Sequence, residues 1–359
     1  MAYPDDYSQY DQITINHTII GSGGVNHFDI WLPVTLMSST AQSVMRSDGG
    51  DLRVTLDDGT TQLPREVIQN SLGEVIGLRI NMPSLSDSTD DVIRCWYNGS
   101  DVEPSANSTY GQHNVYDSDT AGYWPMEELP SGIAPQILDH TSNLNHGTVV
   151  GGMTADKLVA GIIGNGLNMA GNDYIQLVDN GILRNRNVLS FSAKFRIHAG
   201  VSVFGFLVEK GNTSEFSLES TNSLTPKFYV NNTLAVSLPT LSTQIDYHFV
   251  LVLDGSTAYG YLNGSQFESR AFGVAVPDNS NDIGFAARPN SSYYFNGLID
   301  DYRIDHTARS AAWISTRYQN DANPNSFFSS VTAQGHPPVT TGSRQFPCIG
   351  SSIIRGANL

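Results

Sequence analysis

The sequence has few cysteines, no long hydrophobic run and no recognisable leader. Its two cysteines, Cys95 and Cys348, lie far apart and form no disulfide framework, so we expect two free thiols. No apolar run is long enough to span a bilayer, and we expect no membrane insertion. The first residues, MAYPDDYSQYDQ, lack the basic and apolar regions of a signal peptide, so we expect synthesis in a cytoplasm.

Positive charge is also scarce. The chain has 19 Lys and Arg against 35 Asp and Glu, which gives a net charge of -16. Nucleic-acid binding depends on clustered Lys and Arg, and an acidic surface repels anionic lipids. We therefore expect neither a nucleic-acid partner nor a membrane partner.

The sequence is rich in alternating apolar and polar residues. The clearest case is the stretch LSFSAKFRIH, in which every second residue from Leu189 to Ile197 is apolar. Turn signals such as Asp58-Gly59 and Asn263-Gly264 bound such stretches, and almost no helical stretches lie between them. This pattern predicts antiparallel β-sandwiches.

One carboxylate interrupts the pattern of the last long strand. The alternation places Asp300 on the same face as Leu298, Tyr302 and Ile304, whereas Asp301 falls on the opposite face. A carboxylate in a core must be paired, hydrogen-bonded or bound to a metal ion. Asp300 is therefore expected either to accept backbone N–H groups, to pair with an arginine, or to bind calcium.

The stretch HTARSAAWISTRYQND after this strand has helical spacing. We predict a short amphipathic helix with Thr307 as its N-cap, covering one end of a sheet. The four tryptophans lie in strand or helix patterns and are expected in the core, namely Trp31, Trp96, Trp124 and Trp313. Exposed aromatic residues suited to a sugar are expected only at Tyr293 or Tyr294.

Two parts of the chain resemble known families. Residues from about 7 to 116 carry YDQITINHTII, GGDLRVTLDDGTTQLPREV and INMPSLSDSTDDVIRCWYNG, and they resemble an uncharacterised bacterial and phage domain that often precedes concanavalin A-like modules. Residues from about 122 to 328 carry YWPMEE, DHTSNLNHGT, NDYIQL, YLNG and NGLIDDYRIDHTARSAAWI. These resemble the laminin-G-like branch of the concanavalin A-like lectin/glucanase superfamily.

The resemblance implies an all-β protein of two β-sandwich (jelly-roll) domains, the second concanavalin A-like, with an extended C-terminal tail. We predict an N-terminal domain at residues 1–118, a concanavalin A-like domain at 119–331 and an extended arm at 332–359. Fold alone does not fix function, because this fold occurs in lectins, enzymes and structural modules.

Catalytic and metal motifs are sparse. Laminarinase-type relatives carry Glu-x-Asp on one strand, and no Glu here precedes an Asp by two positions, so we expect no enzyme. The loop DHTSNLNHG offers oxygen ligands for a structural calcium ion, which relatives hold between an early loop and an Asp of the last strand. The candidate ligands are Asp139, Asn143 and Asp300.

These observations lead to three hypotheses. The first is a non-enzymatic structural protein on the exterior of a tailed-phage virion, as a tail component or head decoration, that adheres to host-surface glycans. The alternatives are a bacterial cell-surface carbohydrate-binding adhesin and a polysaccharide-degrading enzyme. The expected partners are other virion proteins of the capsid or tail, host glycans and further copies of the chain.

The tail from Thr332 to Leu359 contains no Asp or Glu and is locally cationic. We expect it to dock on a particle protein or a sister subunit, by adding a strand to a sheet edge. The residues predicted to make this contact are Arg344, Ile353, Ile354 and Arg355.

Overall fold

The computed structural model describes residues 7–70, 72–200, 205–220, 224–289 and 293–335, and it confirms the predicted all-β fold class. Its first strands are β1 (Gln9–Ile15), β2 (Val25–Pro33), β3 (Arg53–Leu56), β4 (Gln62–Leu63), β5 (Arg65–Gln69), β6 (Val75–Leu85) and β7 (Asp91–Tyr97). They are followed by β8 (Thr120–Trp124), β9 (Thr148–Val150), β10 (Leu158–Ala160), β11 (Asn165–Met169), β12 (Tyr174–Leu177), β13 (Val188–Ile197), β14 (Gly205–Lys210), β15 (Phe216–Ser220) and β16 (Lys227–Val230).

The remaining strands are β17 (Thr233–Ser237), β18 (Asp246–Asp254), β19 (Thr257–Leu262), β20 (Ser265–Ala271), β21 (Ile283–Phe285), β22 (Gly297–Asp305) and β23 (Phe328–Gly335). The α-helices of the described residues are α1 (Ser39–Val44), α2 (Ala311–Ala322) and α3 (Pro324–Phe327). None of the helices in this part of the chain is long and apolar enough to cross a membrane.

The first sandwich packs a five-stranded sheet, ordered β23-β1-β7-β3-β4, against a three-stranded sheet, ordered β2-β6-β5. Apolar residues that alternate along these strands meet in one core, which includes Val54 of β3, Ile80 of β6 and Ile93 of β7. Cys95 lies fully buried in the same core as a free thiol, as the sequence predicts. The apolar face that the alternation predicts for these strands is therefore the buried one.

The second sandwich is built from two larger sheets. One has the order β10-β11-β22-β13-β18-β19-β20, with β8 also paired to β22, and the other has the order β17-β16-β15-β14-β21-β12-β9. The predicted apolar face of β13 is confirmed, because its alternate residues from Leu189 to Ile197 all lie in the core. Asn263-Gly264 forms the predicted hairpin turn between β19 and β20.

The chain returns to the first sandwich at its C-terminal strand. Strand β23 pairs antiparallel with β1, from Phe328 opposite Ile15 to Gly335 opposite Gln9. The first sheet is therefore completed by residues that follow the whole second sandwich. The predicted domain boundary at 331/332 falls within this strand.

Helix α2 lies between the two sandwiches. Its N-cap is Ser310 rather than the predicted Thr307, because the Ser310 side chain accepts a hydrogen bond from the Trp313 backbone N–H. Trp313 and Ile314 belong to the core of the first sandwich, together with Val250 on the outer face of β18. The helix thus joins the outer face of the eight-stranded sheet to the first sandwich, and does not merely cover a sheet end.

A network of buried charges surrounds this helix. Asp29 of β2 accepts hydrogen bonds from Arg303 of β22, at 2.7 Å, and from Arg317 of α2. Burial alone would raise the pKa of Asp29, but the two guanidinium groups outweigh it and hold that pKa well below its usual range. The buried charged side chains here are Asp29, Arg79, Lys194, Asp301, Arg303, Asp305, Arg309 and Arg317. We call this set the charged seam.

A β-bulge in β22 brings Asp301 into the charged seam. The pairing of β22 with β13 shifts register between Ser192 and Lys194, and Asp301 has a φ of 51°. The extra residue breaks the alternation, so the core face contains Ile299 together with Tyr302 and Ile304. The predicted placement of Asp300 on the core face is therefore wrong. Asp300 lies opposite Lys194 and shares its face, on the side of the charged seam.

Candidate functional site

The predicted calcium ligand Asp139 is fully engaged with the protein. Its carboxylate accepts hydrogen bonds from the backbone N–H groups of Tyr123, Thr141 and Asn145, at 2.8–3.0 Å, and from the Thr141 hydroxyl at 3.0 Å. The Asn143 side-chain N–H₂ group donates to backbone carbonyls of β8. These contacts tie the loop to β8, and both carboxylate oxygens of Asp139 accept hydrogen bonds from the protein.

Asp300 has different partners. One carboxylate oxygen accepts hydrogen bonds from the backbone N–H groups of Ile162, at 2.7 Å, and Ile163, at 2.9 Å, which is one of the alternatives left open by the sequence. Burial raises the pKa of Asp300 to about 7. Within the described ranges, no group of three or more His, Cys, Asp or Glu is placed to hold a metal ion. Asp139 and Asn143 thus contact β8, whereas Asp300 contacts the backbone at Ile162 and Ile163, and calcium binding by the three residues stays a prediction.

A second buried acid lies beside Asp300. One oxygen of Glu127 accepts a hydrogen bond from the Asn165 backbone N–H at 2.9 Å. Burial, followed by the nearby Asp300, raises the pKa of Glu127 to about 9. Both carboxyl groups accept hydrogen bonds from backbone N–H groups of the segment from Ile162 to Asn165. The predicted docking residues Arg344, Ile353, Ile354 and Arg355 lie outside the described residues.

The strongest candidate site lies on the seven-stranded sheet, on the face that points away from the sandwich core. Phe216 and Leu218 of β15 point into the core, so Glu219 between Leu218 and the strand end points outward. Phe206 of β14 pairs with Glu219, and a bulge between Phe206 and Val208 places Glu209 outward as well. We call Phe206, Glu209, Glu219, Arg288 and Tyr293 the outer-face site.

The segment after β21 places Arg288 over this face. Gly284 makes this possible, because a Cβ atom there would lie 2.3 Å from the Ala287 carbonyl oxygen. The Arg288 guanidinium carbon lies 4.6 Å from the ring centroid of Phe206 and 5.1 Å from that of Tyr293. These distances are those of cation–π contacts. The Tyr293 side chain is 41% exposed, so one aromatic surface is open to solvent next to a cation.

A polar cavity of about 490 Å³ adjoins Arg288. Its lining consists of Gly211, Asn212, Ser280, Asn281, Asp282, Arg288 and Pro289. The wall is held from behind by the buried Lys210, whose ammonium group donates to the carbonyl oxygens of Asn279 and Asn281 at 3.1 Å. A cavity of this size with amide and hydroxyl groups suits a small polar ligand.

Glu209 is the buried acid of the outer-face site. It accepts a hydrogen bond from the Ser214 backbone N–H at 2.9 Å, and Arg288 Nε lies 3.6 Å from the same oxygen. Burial raises the pKa of Glu209 to about 8, although the Ser214 N–H and Arg288 oppose this rise. Burial likewise raises the pKa of Glu219, whose carboxylate accepts a hydrogen bond from the Ser214 hydroxyl. Arg288 therefore faces two carboxyl groups whose pKa values are both raised by burial.

The sequence located only part of this site. Tyr293 was one of two aromatic residues predicted to be exposed, and it is, whereas Tyr294 is half-buried. The four tryptophans are buried, as predicted. Arg288 and Glu209 were missed because charged residues next to strands resemble an ordinary solvated face. The sequence signal that could have found Arg288 was its position, five residues before the exposed Tyr293.

Comparisons with solved structures give distant likenesses to domains of an arabinanase and of botulinum neurotoxins. Domain 4 of AbnA, a GH43 extracellular arabinanase from Geobacillus stearothermophilus in complex with arabinotriose, is 17% identical, with a TM-score of 0.45 over 55% of this chain and 97% of that chain. The binding domain of botulinum neurotoxin serotype D is 16% identical, with a TM-score of 0.41 over 56% of this chain and 51% of that chain. The binding domain of botulinum neurotoxin DC in complex with SialylT is 13% identical, with a TM-score of 0.42 over 57% and 52%.

The match therefore spans about half of each of these two toxin chains. No curated protein matches the sequence. Among protein families, Laminin_G_3, described as the concanavalin A-like lectin/glucanases superfamily, matches residues 169–315. This range contains the strands of the outer-face site and the start of α2. Residues 169–315 thus form a concanavalin A-like domain of the laminin-G-like type.

Proposed function

We propose that this protein is a non-enzymatic structural protein on the exterior of a tailed-phage virion, and that its outer-face site binds host-surface glycans. The observation that carries the glycan part is the exposed Tyr293 ring beside Arg288 and a polar cavity. Sugars are commonly held by an aromatic surface together with a few polar groups. The lectin/glucanase superfamily of the domain is consistent with this chemistry.

A hydrolase is the second candidate, because two carboxyl groups of the site contact the same residue, Ser214. Glycosidases use a pair of carboxyl groups, of which one is held protonated. Glu209 nevertheless lies fully buried beneath Arg288, so its proton does not reach a bond in the adjoining cavity. This burial favours binding over hydrolysis. A reducing-sugar assay over a polysaccharide panel decides, since release of sugar that Glu209→Gln abolishes would replace the proposal with an enzyme.

The virion part of the proposal is supported by the extensive contacts that join the two sandwiches. The two sandwiches share a core at Trp313, a sheet completed by β23 and a buried network of charges, which suits a rigid external component. The C-terminal residues 336–359 would dock on a capsid or tail protein. Mass spectrometry of purified particles tests this placement, and recovery only from bacterial envelopes would favour the cell-surface adhesin.

Glycan binding is tested with wild type, Tyr293→Ala and Tyr110→Ala on an array of bacterial surface glycans. Tyr110 is a matched control, because it is 38% exposed but belongs to the first half of the chain. We expect Tyr293→Ala to lose the binding signal and Tyr110→Ala to keep it. Equal binding by both variants would remove the outer-face site from the proposal.

A further inference from the structure

The Arg288 side chain is 19% exposed, and part of its hydrogen-bonding capacity is unfilled. Its Nε atom is buried and has no hydrogen-bond partner among the described residues. The nearest carboxylate oxygen, that of Glu209, is 3.6 Å away, which is too long for a good hydrogen bond. By contrast, Arg196 on the opposite sheet makes two hydrogen bonds to Asp246, at 2.6 and 2.9 Å.

The two aromatic rings fix the position of the guanidinium without satisfying its N–H groups. Cation–π contacts act on the face of the guanidinium and leave its edge open. The Arg288 side chain lines the 490 Å³ cavity and is 19% exposed, so part of it is accessible from the cavity. A planar fork of N–H donors matches a carboxylate, which it binds through two parallel hydrogen bonds.

The other charged group of the cavity wall does not compete for this edge. The two carboxylate oxygens of Asp282 accept hydrogen bonds from the Gln176 side chain, at 2.6 Å, and from the Asp179 backbone N–H, at 3.0 Å. Asn212 is exposed at the rim, where its amide can bind hydroxyl groups. The cavity therefore offers the Arg288 cation, a carboxylate whose oxygens are already held by protein donors, and neutral polar groups.

We propose that the outer-face site selects glycans that contain an acidic sugar, a hexuronic or nonulosonic acid, whose carboxylate binds the edge of Arg288. This inference rests on the proposed glycan binding and narrows it to a chemical class. The sugar ring would lie against Tyr293, and its hydroxyl groups would face the amides of the cavity wall. Neutral glycans would then bind more weakly, because they bring no carboxylate to the guanidinium.

The selectivity depends on pH through Glu209. The groups that face its carboxyl are Arg288, Glu219, the Ser214 N–H and the Ser217 hydroxyl. Glu209 is protonated at neutral pH, and its ionisation above about pH 8 would place a negative charge beside Arg288. An anionic ligand would then be repelled, so its affinity should fall between pH 7 and pH 9. The affinity of the Glu209→Gln variant for the same anionic ligand should not fall between pH 7 and pH 9.

The test measures affinities by calorimetry for two pairs of probes that differ in one carboxylate. The pairs are an oligogalacturonate with its carboxyl-reduced galactose oligomer, and sialyllactose with lactose. We expect wild type to bind an acidic member at least tenfold more tightly than its neutral partner. Arg288→Gln should bring the ratio of the two affinities close to one, because glutamine carries no charge and no fork of donors for the carboxylate.

Two further variants control the result. Arg288→Lys keeps the charge but not the fork, so it should recover only part of the ratio. Arg270→Gln removes a 40% exposed arginine that pairs with Glu268, and it should change nothing. Equal affinity of wild type for both members of a pair would overturn the acidic-sugar inference while leaving glycan binding intact. If no probe and no arrayed glycan binds, the proposed function itself fails.

Discussion

Replacing Asp29 by asparagine removes one negative charge from the charged seam and keeps the shape of the side chain. Asp29 contacts Arg303 of the second sandwich and Arg317 of helix α2, and it lies fully buried. Removing one partner of a buried ion pair costs about 3–5 kcal/mol, because the remaining charge stays buried without compensation. We expect about 3 kcal/mol, since both arginines keep a second carboxylate, at 2.9 Å from Asp305 and 2.7 Å from Asp321.

The assay is urea unfolding followed by tryptophan fluorescence. With a slope of about 3 kcal/mol per molar, this loss lowers the midpoint by about 1 M. Asp246→Asn is the matched control, because the Asp246–Arg196 pair is more than a third exposed on both sides and should contribute about 0–1 kcal/mol. We also expect one transition for the whole molecule. Similar small losses in both variants, or a first sandwich that melts separately, would refute the view that the seam joins the sandwiches.

Three further predictions concern other contacts. Burial raises the pKa of Glu127 from its usual acidic value to about 9, so the folded state holds a proton that the unfolded state releases above about pH 4.5. The melting temperature should therefore fall from pH 5 to pH 9, and this fall should be smaller in Glu127→Gln. An equal fall in wild type and Glu127→Gln would contradict the prediction. Gly21→Ala should cost about 1–3 kcal/mol, because its Cβ would lie 2.4 Å from a backbone atom of α2, while Gly335→Ala meets nothing within 4 Å and should be neutral in the same unfolding assay. Deleting residues 336–359 should leave the melting temperature unchanged and lower incorporation into particles, whereas deleting 328–359 removes β23 and should destabilise the fold.

The sequence was informative wherever a strand keeps its period of two. The core faces of β13 and of the neighbouring β18 follow directly from that period, because burial of one face fixes it. It failed at Asp301, since an aspartate gives little sign that it will adopt a positive φ and shift the strand register. The faces predicted for the residues before it are reversed, whereas Tyr302 and Ile304 after it lie in the core as predicted. The sequence therefore indicated three possible kinds of partner for Asp300 but no means of deciding between them.

The candidate site was harder to predict for a related reason. Arg288 acquires its role from two rings and a carboxyl group that lie on separate segments, at Phe206, Tyr293 and Glu209. No spacing rule connects these positions, because their proximity depends on how β14 and β21 pair in the sheet. An exposed aromatic residue was the part visible beforehand. Its cationic neighbour, Arg288, could be identified only from the folded structure.

The first sandwich is complete only when β23 pairs with β1, and β23 follows the whole second sandwich in the sequence. The side chains of Ser330 and Thr14, which meet in this pairing, are 316 positions apart. On the ribosome β1 can pair with β7, but its other edge stays open until the last strand has emerged. An open edge readily pairs with other chains, and such distant contacts form slowly. A chain interrupted before β23 would thus present an unpaired edge of β1 to which other chains could add a strand.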